Sequence, residues 1–123
     1  MIDHVRQRYN IPEGVPVDLT AIPDPPDGSR PRETLAQIAS LAIVGSPKQM
    51  LAIREMYHTI MQHFTWYRTA DQEAMKKWQG SLRHLLSLKL GFKQIPRPLM
   101  EPGQGNYWTL DVSLSGDKRP RKR

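Results

Sequence analysis

From Ala74 to Leu88 the sequence leaves one regular solution. Ala74, Met75, Trp78, Leu82, Leu85 and Leu86 fall within about 120° of one another on a helical projection, the width of a stripe that faces a core. Lys76, Gln79, Gly80, Arg83, His84 and Ser87 occupy the other side. That side carries hydrogen-bond donors and positive charge but no carboxylate. A helix face that meets only solvent usually mixes both signs, so this one is suited to an anionic partner.

The flanking segments extend the pattern. Leu35, Ile38, Ala39, Ala42 and Ile43 repeat at helical spacing, with Gly45 as a C-terminal stop and Ser46-Pro47 as a turn. A short extended piece at Met50-Leu51-Ala52 leads into a second helix with the stripe Ile53, Met56, Tyr57, Ile60, Met61 and Phe64. Thr65 to Ala70 reads as a connection, and Asp71 as the N-cap of the helix described above. Gly91 ends the helical pattern. Phe92-Lys93-Gln94-Ile95 then reads as a strand closed by Pro96 and Pro98, and Asn106-Tyr107-Trp108-Thr109-Leu110 as a second strand after the Pro102–Gly105 loop. These elements predict an α+β winged helix, with a three-helix helix-turn-helix core followed by a small antiparallel β-hairpin wing. In such a domain the third helix enters the major groove of DNA and the wing reaches the neighbouring backbone.

Outside this block the sequence predicts little order. Residues 11–32 hold six of the eleven prolines and almost no apolar periodicity, so residues 1–32 are expected to form a disordered Pro-rich segment. The domain is expected over residues 33–112, and a flexible basic tail over 113–123. A hydrophobic fraction of 38% agrees with a partly unfolded chain.

Charge divides in the same way. The net is −1 over residues 1–32 (four basic, five acidic), +3 over 33–112 (nine and six) and +4 over 113–123 (five and one). Between positions 74 and 97 lie Lys76, Lys77, Arg83, Lys89, Lys93 and Arg97 with no acid among them, a footprint that fits phosphate binding. The absence of cysteine excludes disulfides and thiolate metal sites and permits a reducing compartment. No apolar run approaches the roughly 18 residues that span a bilayer, and MIDHVRQRYN lacks the apolar core of a signal peptide. A soluble intracellular protein without a membrane partner is expected.

The block from Glu33 to Asp111 resembles the forkhead, or Fox, DNA-binding domain. The resemblance rests on Ile43 through Ser46-Pro47, Ile53 to Phe64, Tyr67-Arg68, Trp78-Gln79, Ser81, Arg83-His84, Leu86-Ser87-Leu88, Phe92 and Pro96-Arg97. It closes on Pro102-Gly103-Gln104-Gly105-Asn106-Tyr107-Trp108-Thr109-Leu110-Asp111. It implies a nuclear transcription regulator that binds double-stranded DNA as a monomer and regulates transcription by RNA polymerase II. By resemblance His84 reads a base, while Arg83 can reach a guanine or a phosphate. Gln79, Gly80 and Ser87 share that base-reading face, and Ser81 stands at its boundary. Lys76, Lys77, Lys89, Lys93, Arg97 and Asn106 are candidates for phosphate contact. In the tail, Lys118, Arg119, Arg121, Lys122 and Arg123 suit a second wing, a nuclear import signal or both.

Departures from the family pattern bear on specificity. Forkhead domains usually carry at the position of Gly80 an asparagine that contacts an adenine, an interaction that supplies about 1–3 kcal/mol of discrimination. Leu85 replaces a second asparagine and falls with the core residues. Arg32-Glu33-Thr34-Leu35 replaces an aromatic segment, and Gln104 stands where lysine is common. The preferred site is therefore expected to depart from the A-rich core typical of the family. A diverged module for protein interaction, or one that binds DNA with weak sequence preference, is the alternative. No enzymatic activity, cofactor, metal or small-molecule substrate is expected. His58 and His63 lie on different helix faces without a carboxylate pair, and Gly103-x-Gly105 lacks the strand–helix context of a nucleotide loop.

Overall fold

A computed structural model of the protein describes residues 1–103 and 105–113. Its elements, in chain order, are α1 (Ile2–Arg8), a 3-10 turn (Leu19–Ala21), α2 (Leu35–Val44), β1 (Leu51–Ala52), α3 (Ile53–His63), α4 (Thr65–Thr69), α5 (Gln72–Leu88), β2 (Phe92–Ile95) and β3 (Tyr107–Leu110). The three strands form an antiparallel sheet in the order β1-β3-β2. The architecture is an α+β winged helix: α2, α3 and α5 make the three-helix core, and β2 and β3 form the hairpin.

Local chemistry accounts for the element boundaries. Thr34 caps α2 by accepting from the Gln37 amide at 3.2 Å, and Asp71 caps α5 by accepting from Ala74 at 2.8 Å. At the start of α3 the Glu55 carboxylate accepts from the Ala52 amide at 2.8 Å. Gly45 ends α2 in a right-handed conformation, so positive φ is not what requires glycine there. An added Cβ would collide with the Cβ of Asp18; close approach is the requirement.

Two expectations change. The connection after α3 is itself a helical turn, α4. More consequentially, residues 1–32 are not a loose linker. Val5, Ile11, Val17, Leu19 and Ile22 are all buried and join the core of α2, α3 and α5. The reason lies in α2, where every residue from Ile38 to Val44 is buried. A helix that is apolar on all sides must be covered on all sides. Beyond the stripe that faces α3 and α5, Leu41 and Val44 also need cover, and the N-terminal segment contributes it.

Polar contacts then fasten the segment. The Ile22 carbonyl lies 2.6 Å from His63 Nε2. The Asp24 carboxylate accepts from the Thr65 amide at 3.0 Å and its hydroxyl at 2.6 Å, so a residue far upstream caps α4. Arg30 lies over the Trp66 and Tyr67 rings at 4.9 and 5.9 Å.

If this clasp is part of the folded domain, Ile22→Ala lowers unfolding stability by about 2–4 kcal/mol, the range for emptying a buried aliphatic site; denaturant unfolding in which the change is below about 0.5 kcal/mol, as at an exposed site, contradicts it. The bonds from Thr65 hold the Asp24 carboxyl below its ordinary value of 3.8. Its stabilising effect is therefore present above about pH 4 and lost as pH falls through its folded value. Thermal unfolding of Asp24→Asn should show a smaller acid-side decline than the native sequence; an identical acid limb would exclude the cap.

Candidate nucleic-acid interface

α5 is docked through Trp78, Leu82 and Leu86, all buried, with Met75 and Leu85 half-buried beside them. The Trp78 ring meets Tyr57 edge-on at 5.6 Å and Tyr67 at 5.0 Å. With the apolar stripe held there, Lys76, Lys77, Gly80, Ser81, Arg83, His84 and Ser87 are exposed and Gln79 is half-buried. The outward face contains no carboxylate from Ala74 to Leu88. Negative charge stays at the helix start, where Asp71 and Glu73 complement the helix dipole.

The base-reading candidates share this face but are not equivalent. Arg83 Nη2 donates to the Tyr57 hydroxyl at 3.3 Å, and that hydroxyl donates to the Gln79 carbonyl at 3.2 Å. Tyr57 thus aims the Arg83 side chain toward α3, a role hidden in the sequence because Tyr57 belongs to the apolar stripe. Ser87 Oγ donates to the Arg83 carbonyl at 3.3 Å, inside its own helix. His84 is exposed on the same face. At Gly80 a Cβ would meet nothing within 4 Å, so no neighbour requires glycine.

Among the phosphate candidates, Lys76, Lys77, Lys93 and Asn106 are exposed and Lys89 is half-buried. Arg97 has a different place from the one expected. Its guanidinium donates to the Gly105 carbonyl at 2.9 Å, the Pro102 carbonyl at 3.0 Å and the Tyr107 hydroxyl at 2.9 Å. It also lies 3.8 Å from Glu101 and 4.5 Å from the Tyr107 ring centre. With its side chain only 15% exposed, Arg97 organises the wing from within. The Tyr107 hydroxyl donates to Glu101, and that bond raises the phenol above its ordinary value. Gly103, at φ +115°, leaves room for the guanidinium, since an added Cβ would stand 2.9 Å from Arg97 Nη1.

The wing is therefore a built loop. β2 and β3 pair from Phe92 with Leu110 to Ile95 with Tyr107. Trp108 packs against the core, while Tyr107, on the alternate face of the strand, is covered by the Arg97 network. Leu99 and Met100 protrude between these strands, fully exposed. Lys118, Arg119, Arg121, Lys122 and Arg123 lie outside the described residues. Among the described residues no group of three or more His, Asp or Glu is arranged to hold a metal ion, and no helix is long and apolar enough to cross a membrane.

Comparison with known proteins gives a consistent picture. A family model for the forkhead domain matches residues 29–118. Forkhead box protein I3-B of Danio rerio and Forkhead box protein I1 of Homo sapiens are each 38% identical to this chain over 100 residues. Forkhead box protein I1c of Xenopus tropicalis is 37% identical over 100 residues. These matches cover 76% of this chain but only 25–27% of the relatives, so the chain spans about a quarter of their length.

The open space at Gly80 makes a direct prediction about the helix. Gly80→Ala should raise unfolding stability by about 0.5–1 kcal/mol through helix propensity alone. A loss of stability in chemical denaturation would show that the glycine is required by the packing.

Proposed function

The chain belongs to the forkhead family, and from that premise we propose that it is the sequence-specific double-stranded-DNA-binding domain of a nuclear transcription regulator acting on RNA polymerase II transcription. The observation that carries this reading is the outward face of α5, exposed along its length, rich in donors and positive charge, and free of carboxylates. Placed in a major groove, this face would bring His84 and Arg83 to base edges, with Gln79 and Ser87 beside them. Arg83 would leave its 3.3 Å bond to Tyr57 for the paired O6 and N7 acceptors of a guanine or for a phosphate oxygen, in which case a neutral partner gives way to a negative one. Lys76, Lys77, Lys89, Lys93 and Asn106 would supply affinity through the backbone, contributing little sequence information. The protein would act as a monomer on DNA, without a cofactor or enzymatic step.

In this reading Arg97 serves DNA binding indirectly. It would hold the wing in one shape, so that β2, Asn106 and the loop approach the backbone without first ordering. The tail cations would add a second wing, an import signal or both. A weakly selective binding mode is the second reading, and it is favoured by one feature: Gly80 leaves the centre of the reading face without a side chain. Backbone contacts would then supply most of the affinity.

Titration of duplex binding against salt tests the proposal. Binding should weaken steeply with salt, with a log–log slope of about 0.9 per phosphate neutralised. The double variant Arg83→Ala, His84→Ala should lose at least tenfold in affinity for a preferred site while binding unrelated duplexes nearly as well as before, since a good base contact supplies about 1–3 kcal/mol of discrimination. Equal weakening on every sequence supports the weakly selective mode. No duplex binding at low salt contradicts both modes and leaves a protein-interaction module.

A further inference from the structure

The forkhead match begins at residue 29, yet α1 lies well before it and is packed on the domain through Val5, only 1% exposed. The packing places α1 beside the C-terminal end of α5. Between them is a cavity of about 440 Å³, walled by α1, the first turn of α2, the end of α5 and the base of the hairpin. His4 and Arg8 line it from α1 and Lys89 from just beyond α5, so three basic side chains from two separate parts of the chain converge on one opening. Asp111 is the one carboxylate among its described lining residues, and it already accepts from Ser113, at 3.2 Å from the amide and 2.6 Å from the hydroxyl.

The two arginines of the last turn of α1 have different roles. Arg6 is turned inward, its guanidinium donating to the Pro12 and Val15 carbonyls, which secures the chain reversal after the helix. Arg8 is exposed, its guanidinium 5.7 Å from the centre of the Tyr9 ring. Leu85 and Lys89 both line the cavity, Leu85 from the last turn of α5 and Lys89 from the extended residue that ends the helix. The opening therefore adjoins the C-terminal end of the helix whose outward face carries no carboxylate.

We propose that α1 is an accessory DNA-binding arm: with α5 in the major groove, His4 and Arg8 act together with Lys89 to hold a backbone phosphate of the same duplex at the mouth of this cavity. The proposal rests on the DNA-binding role of α5. It commits to duplex phosphate, because these basic side chains stand at the end of a helix whose outward face is already cationic and free of carboxylates. The contact carries no base information; it would add affinity and fix the approach of the domain.

The test uses the full chain and fluorescence anisotropy on duplexes of preferred and unrelated sequence. The double variant His4→Ala, Arg8→Ala should bind all duplexes several-fold more weakly and reduce the salt slope by about 1, as loss of one phosphate contact requires. Arg8→Lys should restore most of the binding. Arg8→Gln, which keeps the side-chain stem beside Tyr9, should weaken binding in the same sense, and unchanged thermal unfolding identifies the effect as lost contact. An unchanged slope and affinity in a folded double variant overturns the arm, as does tighter binding, which would make α1 a cover over the site. Inorganic phosphate that shifts the His4 and Arg8 resonances, with no effect of the double variant on duplex binding, also overturns it and leaves a free-anion site. If Arg83→Ala, His84→Ala weakens binding while the α1 variant does not, the arm alone fails. If the native chain binds no duplex, the DNA-binding role fails and the arm with it.

Discussion

Trp78, held edge-on between Tyr57 and Tyr67, is the contact on which the orientation of α5 depends. A helix of 17 residues can rest on a core in many rotations, and a small side chain at this position would distinguish poorly among them. A tryptophan clamped from two sides selects one. Leu82 and Leu86 follow it into the core at four-residue spacing, and the basic residues face outward as a consequence. The polar atoms Trp78 Nε1 and Tyr67 Oη are buried without a hydrogen-bond partner among the described residues, so packing of rings rather than hydrogen bonding holds this junction. Tyr57 joins the two requirements, since its ring packs on Trp78 and its hydroxyl accepts from Arg83.

The same economy of parts appears at the wing. Tyr107 is a strand residue whose ring stacks under Arg97 and whose hydroxyl bridges Arg97 and Glu101. Two glycines at positive φ, Gly103 and Gly105, let the backbone turn closely around the guanidinium. The loop is consequently organised by a charge kept inside it. Basic residues in this domain therefore divide into those that build and those that face outward. Arg97, Arg6 and Arg68 bind backbone carbonyls, while Lys76, Lys77 and Lys93 remain exposed.

What could be read from the sequence followed regular spacing. Trp78, Leu82 and Leu86 repeat at helical intervals, so α5 is legible with its face, and Phe92 to Ile95 lies between glycine and proline boundaries, so β2 is legible as an element. Val5, Ile11, Val17, Leu19 and Ile22 have no period, because they sit in one short helix and an irregular path; burial in such a path leaves no repeating signature. One clue was present nonetheless. Leu41 and Val44 make α2 apolar beyond the width of a stripe, which requires cover on a second side. Nothing local marks α4, whose cap at Asp24 comes from 41 positions upstream of Thr65. The loop partners of Arg97 are hidden for a related reason: a positive charge near a wing reads as a phosphate contact, and the carbonyls of Pro102 and Gly105 that it binds leave no mark in the spacing. The candidates on α5 share one face, but Arg83 and Ser87 each have an internal partner that spacing alone does not reveal.

The central claim is that a forkhead reading helix is present here with its middle position emptied at Gly80. Selection from a random duplex library, run in parallel on the native chain and on Gly80→Asn, tests it most directly. The native chain should enrich a defined motif that departs from the A-rich forkhead core, and Gly80→Asn should move the preference toward that core, since the open space at Gly80 admits the new side chain and a bidentate amide contact supplies about 1–3 kcal/mol. Enrichment of the ordinary forkhead site at full strength by the native chain, with no change on Gly80→Asn, would contradict the account.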